Sequence, residues 1–232
     1  MSFNPRVLLA AVFLLPCWGC SDQRSSKPPE PPKVVEPQSF LRFELIDDAL
    51  PQSVFRDGSE SLAFSLPETT GGGVSLIDYD RDGRLDVVAA GGGQPDSQRQ
   101  QMLGYPGYLF RQSRPMTFQP AGSMAKLDFS ATYHSASVAA DYDSDGFTDL
   151  LITGYDRIQW FRNQGDGTFE SVRPIDDSIW STAAVFFDAD QDSDLDLYVV
   201  HYANWSWFNN PRCPSQMDPN RRDYCGQLTF KA

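Results

Sequence analysis

The chain has 232 residues, 41% of them apolar, which is enough for one substantial folded domain. Its formal net charge of −12 argues against a nucleic-acid partner, because a phosphate backbone needs a basic protein face. The acidity is also unevenly placed: 25 residues are aspartate, only 6 are glutamate, and 12 of the aspartates fall at aligned positions of three short loops.

The first twenty residues have the pattern of an export signal. Arg6 is followed by an apolar run at residues 7–15 that is too short to span a bilayer as a helix. The run ends at Gly19 and Cys20, which resembles a bacterial lipoprotein signal with Cys20 as the lipidated residue. Cys17 and Trp18 depart from the usual lipoprotein pattern, so simple secretion stays open. We therefore predict a signal peptide at residues 1–20 and an exported protein, lipid-anchored to the bacterial envelope or secreted.

Residues 21–38 are polar and proline-rich, which predicts an extended, disordered linker rather than part of a core. Export would leave Cys213 and Cys225 in the mature chain. In an oxidising compartment, such a pair in a loop-like stretch predicts a disulfide. Cys17 and Cys20 also form a C-x-x-C pattern, but its place in the signal segment argues against a redox role.

The rest of the chain, residues 39–232, repeats. Three loops align on Asp78, Asp141 and Asp188, and read D-Y-D-R-D-G-R-L-D, D-Y-D-S-D-G-F-T-D and D-A-D-Q-D-S-D-L-D. Each lies between two short apolar runs that favour β-strands: residues 74–77 and 87–89, 137–140 and 150–152, and 184–187 and 197–200.

Two further strands are predicted in each repeat. The third covers residues 108–111, 160–163 and 207–210, displaced in the first repeat by an insertion at residues 92–106. The fourth begins at Thr117 and at Thr168 in the first two repeats. Four short strands at a regular period are typical of a β-propeller blade, so we predict an all-β propeller with blades at about 70–120, 132–175 and 180–232. Small residues before each loop suit first strands that crowd a central axis.

The loops have the chemistry of calcium sites. Calcium takes six to eight oxygen ligands, and alternate residues of a short loop can supply them. We number each loop from 1 to 9. Aspartates at positions 1, 3, 5 and 9 supply carboxylates, position 7 supplies its carbonyl oxygen, and glycine at position 6 permits the turn. The predicted ligands are Asp78, Asp80, Asp82, Arg84 and Asp86 in loop 1, Asp141, Asp143, Asp145, Phe147 and Asp149 in loop 2, and Asp188, Asp190, Asp192, Asp194 and Asp196 in loop 3. Ser193 replaces the glycine of loop 3, which predicts a strained turn and weaker binding.

One other interpretation of the loops fails, and a second is disfavoured. An EF-hand needs glutamate at position 12 and flanking helices, whereas Ala89, Ile152 and Val199 stand there inside strand-like runs. Solvated aspartate-rich turns would not explain carboxylates that crowd and repel one another at three aligned places.

The second loop and the W-F-R-N-Q-G-D-G-T-F segment after it resemble the FG-GAP/VCBS repeat of integrin-α-type propellers. The G-G-G-V-S-L-I-D-Y-D-R-D-G-R-L-D stretch and residues 224–226 look most like exported bacterial proteins of the cartilage acidic protein (ASPIC/UnbV) group. Propellers of this family usually have about seven blades. The repeats of this chain predict about three, so the resemblance implies a truncated or split product.

The leading functional hypothesis is a calcium-stabilised module that binds protein or carbohydrate partners at the cell surface, by analogy with family propellers. We expect no enzymatic activity, since the chain has no nucleophile motif and we assign structural roles to His134 and His201. A hydrolase or lyase propeller with its catalytic residues elsewhere, and a non-functional fragment, are the alternatives.

Overall fold

The computed structural model describes residues 44–46, 49–51, 59–70, 72–128, 132–176 and 179–230. A compact unit begins at Leu45 and contains every described strand, whereas only Glu44 is described of the unit that precedes it. The predicted signal peptide with Cys20 and the predicted linker at residues 21–38 lie outside the described residues.

The described part of the chain is all-β, with short 3-10 helices between some strands. The strands of the first repeat are β1 (Val74–Ile77), β2 (Asp86–Ala89), β3 (Gly93–Asp96), β4 (Gln101–Gly104), β5 (Tyr108–Arg114) and β6 (Thr117–Pro120). Those of the second are β7 (His134–Ala140), β8 (Asp149–Gly154), β9 (Arg157–Asn163) and β10 (Phe169–Asp176). They are followed by β11 (Ser181–Phe187), β12 (Asp196–His201), β13 (Cys213–Pro214) and β14 (Arg222–Asp223). The 3-10 helices are Ser59–Ser61, Leu66–Thr69, Trp207–Asn209 and Gln227–Thr229.

The first two repeats each form a four-stranded antiparallel sheet, in the orders β1-β2-β5-β6 and β7-β8-β9-β10. These sheets confirm the four-stranded β-sheets predicted for the first two repeats. In the first blade, the insertion between β2 and β5 folds into the separate hairpin β3-β4. The calcium-type loops join the first strand of each blade to the second.

The first strands of successive repeats lie side by side, because β7 contacts both β1 and β11. The approach is close at Gly73, just before β1, where an added Cβ would lie 2.7 Å from the Cα of Ala136. A side chain there would force the two strands apart. The small residues predicted for this place therefore stand where two blades meet.

One hydrophobic cluster fills the space between the first two blades. The first blade supplies Ile77, Val88 and Leu109, and the second supplies Ile152 and Phe161. The β8 strand is buried along its whole length, as expected for a strand covered on both faces. Burial of these side chains is the main favourable contribution to the packing of blade on blade.

The third repeat corrects one sequence-based prediction. The sequence predicts a third strand at residues 207–210, but Trp207–Asn209 is a 3-10 helix. Among the described residues, the third sheet consists of β11 and β12 alone. Phe208 is 90% exposed, whereas its aligned counterpart Phe161 is 2% exposed.

The physical reason lies in a second hydrophobic cluster and in a local cap. Trp205 is buried in that cluster with Trp180 and Cys225, and its ring meets the ring of Trp207 edge-on at 5.4 Å. The Asn209 side chain donates to the carbonyl of Asn204 at 2.5 Å. Burial of the tryptophan and this local bond draw the segment away from the edge of β12.

Candidate metal centre

The three loops share one hydrogen-bonded frame, built from position 1. In loop 1, the Asp82 and Gly83 N–H groups donate to the two carboxylate oxygens of Asp78, both at 3.0 Å. The equivalent donors in loop 2 reach Asp141 at 3.1 and 2.9 Å, and those in loop 3 reach Asp188 at 3.2 and 3.0 Å. Such bonds from the backbone hold the first carboxylate in one orientation before any ion binds.

The position-6 residue has a left-handed backbone in all three loops. Its φ is +80° at Gly83, +88° at Gly146 and +75° at Ser193. Glycine adopts this conformation freely, whereas a serine pays a conformational penalty. Loop 3 therefore keeps the turn of the other two loops and does so under strain.

Position 9 closes each loop against the blade. The Oδ1 atom of Asp86 accepts the N–H of Gln112 on β5 at 2.7 Å, and its Oδ2 accepts the N–H of Tyr79 at 3.3 Å. Asp149 repeats the pattern with Asn163 on β9 at 2.7 Å and Tyr142 at 3.3 Å. In both blades the third strand thus fixes the last carboxylate of the loop.

Loop 3 has only half of this closure. Asp196 accepts the N–H of Ala189 at 2.9 Å, but the residues that would form a third strand lie in the 3-10 helix Trp207–Asn209. Every residue from Asp188 to Asp196 is exposed, including the three clustered carboxylates. The third loop is consequently the least supported of the three.

The frame gathers three carboxylates in every loop. Those at positions 1, 3 and 9 each offer one oxygen, and the three oxygens lie within 4.8 Å of one another. The groups are Asp78, Asp80 and Asp86; Asp141, Asp143 and Asp149; and Asp188, Asp190 and Asp196. Of the predicted carboxylate ligands, the structure brings nine together.

The other predicted ligands lie outside these groups. Asp82, Asp145 and Asp192, at position 5, each accept the N–H of position 7, at 3.0, 2.9 and 2.9 Å. Asp194 of loop 3 is also outside its group. The carbonyl oxygens of Arg84 and Phe147 remain predicted ligands.

The electrostatics of the first two groups favour a bound cation. Burial raises the pKa of Asp86 to about 6; hydrogen bonds from Gln112 and Tyr79 oppose the rise, and the negative charges of Asp80 and Asp82 add to it. The pKa of Asp149 is raised to about 6 in the same way, with burial again the largest cause. A nearby cation would reverse such shifts, since it stabilises the ionised carboxylate.

One oxygen tests the fit to a metal directly. The Oδ1 atom of Asp80 is buried and accepts no hydrogen bond from any described residue. An orphaned buried carboxylate oxygen is costly unless a cation or water satisfies it. Oxygen-only donor sets of this kind suit a hard cation such as Ca²⁺, so the residues present fit the implied ion.

Two arginines that the sequence analysis did not single out also touch the loops. Arg111 on β5 binds Asp80 through Nε, and Asp82 through Nη2 at 2.8 Å. Arg162 on β9 binds Asp143 at 2.9 Å and Asp145 at 3.3 Å. The signal available in the sequence was their equal place in two repeats, since each arginine directly follows a phenylalanine of the aligned third strand.

The remaining predicted site residues are placed as follows. Cys213 and Cys225 form a disulfide that joins β13 to the segment after β14. His134 is fully buried at the start of β7, next to the Gln159 side chain, and burial lowers its pKa to about 4. His201 is exposed at the end of β12.

A cavity of about 300 Å³ forms away from the loops. Its walls come from the β4 region and the β8–β9 turn, which connect second strands to third strands, and from the 3-10 helix that follows β12. Successive connections of an antiparallel sheet alternate between its two ends, so this cavity lies at the end opposite the aspartate loops. It is lined by Gln100, Gln101, Met102, Thr132, Tyr155, Asp156, Arg157, Ser206, Trp207 and Phe208.

Comparison with protein families agrees with the repeat. The model of the FG-GAP-like repeat matches residues 78–151 and 141–199, which together span more than half of the chain. The chain belongs to the FG-GAP repeat family. The two matches begin at Asp78 and Asp141, the first residues of loops 1 and 2.

FG-GAP repeats often bind calcium, and proteins that carry them are typically extracellular. No curated protein sequence matches this FG-GAP protein significantly. Within the described residues, no helix has the length and apolar character needed to cross a membrane.

Proposed function

We propose that this FG-GAP protein is an exported calcium-binding propeller module that binds protein or carbohydrate partners at the cell surface, and that it acts by binding rather than by catalysis. The proposal rests on the group of three carboxylates that recurs in each of the three loops. In loop 1 this group includes the unpartnered Oδ1 of Asp80. The family relationship supports export. The Gly19-Cys20 pattern at the end of the apolar run supports a lipid anchor.

Calcium would be held by the position-1, 3, 5 and 9 aspartates and by the position-7 carbonyl. The ion would neutralise carboxylates that repel one another and would brace the hairpin between the first two strands of each blade. Because Asp86 and Asp149 are also bonded to the third strands, a braced loop stabilises three strands of its blade.

The cavity opposite the loops supports a binding role. Its lining combines the amides of Gln100 and Gln101 with Asp156, Arg157 and aromatic rings. The Trp207 indole N–H is buried and has no hydrogen-bond partner among the described residues, and the ring of Phe208 stands out at the rim. Planar polar groups beside aromatic faces suit a carbohydrate ligand, whose hydroxyls and C–H faces need both.

Thermal unfolding of the purified protein tests the calcium part. At about 100-fold excess over the dissociation constant, one bound ion adds about 2.7 kcal/mol of stability, so the melting temperature is expected to rise with Ca²⁺ over EGTA. D80N should lose part of that rise, whereas D156N, which removes the same charge from a turn outside the loops, should keep it. Equal melting temperatures in Ca²⁺ and EGTA would refute the calcium site.

Binding to immobilised oligosaccharides and to extracellular matrix proteins tests the partner part. F208A should weaken the binding of a captured partner about tenfold, because an exposed aromatic at the rim contributes to contact and little to the fold. L228A is the matched control, since Leu228 is 92% exposed and lies outside the cavity. Equal loss in both variants, or no binding by the calcium-loaded protein to either class, would contradict the proposed role.

A further inference from the structure

Two arginines occupy the same position in successive blades and contact the same two loop carboxylates. Arg111 lies on β5, the third strand of the first blade, and binds positions 3 and 5 of loop 1. Arg162 lies on β9, the third strand of the second blade, and binds positions 3 and 5 of loop 2. The third strand therefore places a fixed positive charge against each of these loops.

In loop 1, the arginine and the metal would use different oxygens of the same carboxylate. Arg111 takes Oδ2 of Asp80, whereas Oδ1 is the buried oxygen that no described residue satisfies. Arg111 can thus remain in place while an ion binds. Its positive charge then stays within a few ångströms of the ion.

Loop 3 has no such arginine. The residue aligned with Arg162 is Asn209, which lies in the 3-10 helix and donates to the carbonyl of Asn204. Among the described residues, no lysine or arginine forms an ion pair with any of the five aspartates of loop 3. Within the part of the chain that the structure describes, two loops therefore have a resident cation and one has none.

We propose that Arg111 and Arg162 act as resident cations that hold loops 1 and 2 together without calcium and lower the calcium affinity of those loops. Loop 3 depends on the metal for its order. This inference rests on the proposed calcium binding, and its calcium-free half can be measured separately. The order of the third repeat therefore depends strongly on calcium, whereas the order of the first two repeats depends on it less.

Two opposing effects decide the sign of the change in calcium affinity. A positive charge near the site repels a divalent ion, and the effect is strong when solvent is partly excluded. The same arginine restricts the rotamers of two carboxylates, which favours binding by lowering its entropic cost. Loop 1 is already held by backbone bonds to Asp78 and Asp86, so the charge effect should prevail.

The test uses the purified protein with R111Q and R162Q, and with R114Q as a matched control. Arg114 lies on the same strand as Arg111, is exposed and forms no ion pair with a described residue. The amide signals of Gly83 and Gly146 in two-dimensional NMR report loops 1 and 2 separately, because each N–H is bonded to the first carboxylate of its loop. Calcium is the titrant.

We expect R111Q to lower the calcium dissociation constant read at Gly83 about tenfold relative to R114Q, with little change at Gly146. R162Q should show the reverse pattern. In EGTA, each variant should melt at a lower temperature than R114Q. Removal of an arginine with a purely structural role would weaken calcium binding. A raised or unchanged dissociation constant in both variants would therefore overturn the proposal.

Hydrogen exchange in EGTA provides the readout for loop 3. The amide of Ser193 should exchange faster than those of Gly83 and Gly146, and calcium should slow it most. Equal protection of the three amides without calcium would refute the metal dependence of loop 3. If no wild-type amide responds to calcium, the proposed function fails, while the melting temperatures in EGTA still decide the role of the arginines.

Discussion

The side chain of Asn163 joins the loops of two successive repeats, since its Nδ2 donates to the carbonyl of Tyr79 at 2.9 Å across the blade interface. The same amide group donates to Thr148 of its own loop at 3.1 Å, and its Oδ1 accepts the N–H of Gly165 at 3.0 Å. Asn163 is 1% exposed. Loop 1, loop 2 and the turn after β9 therefore share one buried polar side chain.

N163A should lower the free energy of unfolding by about 2–3 kcal/mol, because it leaves buried carbonyls without a donor. Urea unfolding in calcium measures the loss. Q164A is the control, since the next residue is exposed and should change stability by less than about 0.5 kcal/mol. Similar values for the two variants would show that the bond across the interface contributes little.

S193G should stabilise the third repeat by about 1 kcal/mol. Glycine removes the strain of the left-handed backbone at φ +75°, and this gain exceeds the free-energy cost of the entropy that glycine adds to the unfolded chain. Urea unfolding and a calcium titration of loop 3 measure the effect. S193A keeps the Cβ atom and should bring no gain. A gain of equal size in S193A would locate the effect in the hydroxyl group instead of the backbone.

His134 should make the protein less stable in mild acid. Its pKa is about 4 when folded and about 6.5 when unfolded, so the unfolded chain binds the extra proton between these values. The contribution of the neutral imidazole to the free energy of unfolding is fully present above about pH 6.5 and is lost as the pH falls toward about 4.

As the pH falls from about 7.5 to about 5, protonation of His134 in the unfolded chain lowers the free energy of unfolding by about 2 kcal/mol. Asp86 and Asp149, whose pKa values are raised, act in the opposite direction in calcium-free protein. The readout is therefore the difference in pH dependence between the wild type and H134Q, measured by urea unfolding in calcium. Parallel pH profiles of the two proteins would contradict a neutral buried imidazole.

Loss of the bridge between Cys213 and Cys225 should destabilise the C-terminal segment by about 3 kcal/mol, as estimated from the loop that it closes. Cys225 belongs to the cluster of Trp180 and Trp205, so tryptophan fluorescence should follow the transition. The double serine variant and the wild type in reductant should behave alike. Unfolding at an unchanged urea concentration in both would show that the packing alone holds the segment.

Short-range patterns determined much of this protein from its sequence alone. The spacing of aspartates on Asp78, Asp141 and Asp188, with apolar runs on either side, predicted the loops and their flanking strands, and the first two blades agree. The glycine at position 6 predicted a left-handed turn because that conformation depends on one residue and its neighbours. Such features follow from interactions within a few residues of the chain.

The tertiary structure alone decided which predicted ligands meet, and what else touches them. Arg111 reaches Asp80 across 31 residues, and Asn163 reaches Tyr79 across 84, and both contacts depend on how strands pair and blades stack. The prediction of a third strand in the third repeat was wrong for the same reason, since burial of Trp205 in a cluster of distant residues outweighed the local strand pattern. The repeated sequence determined where the loops lie and how they turn. The packing of strands and blades determined which residues hydrogen-bond to each loop and which arginines lie next to its carboxylates.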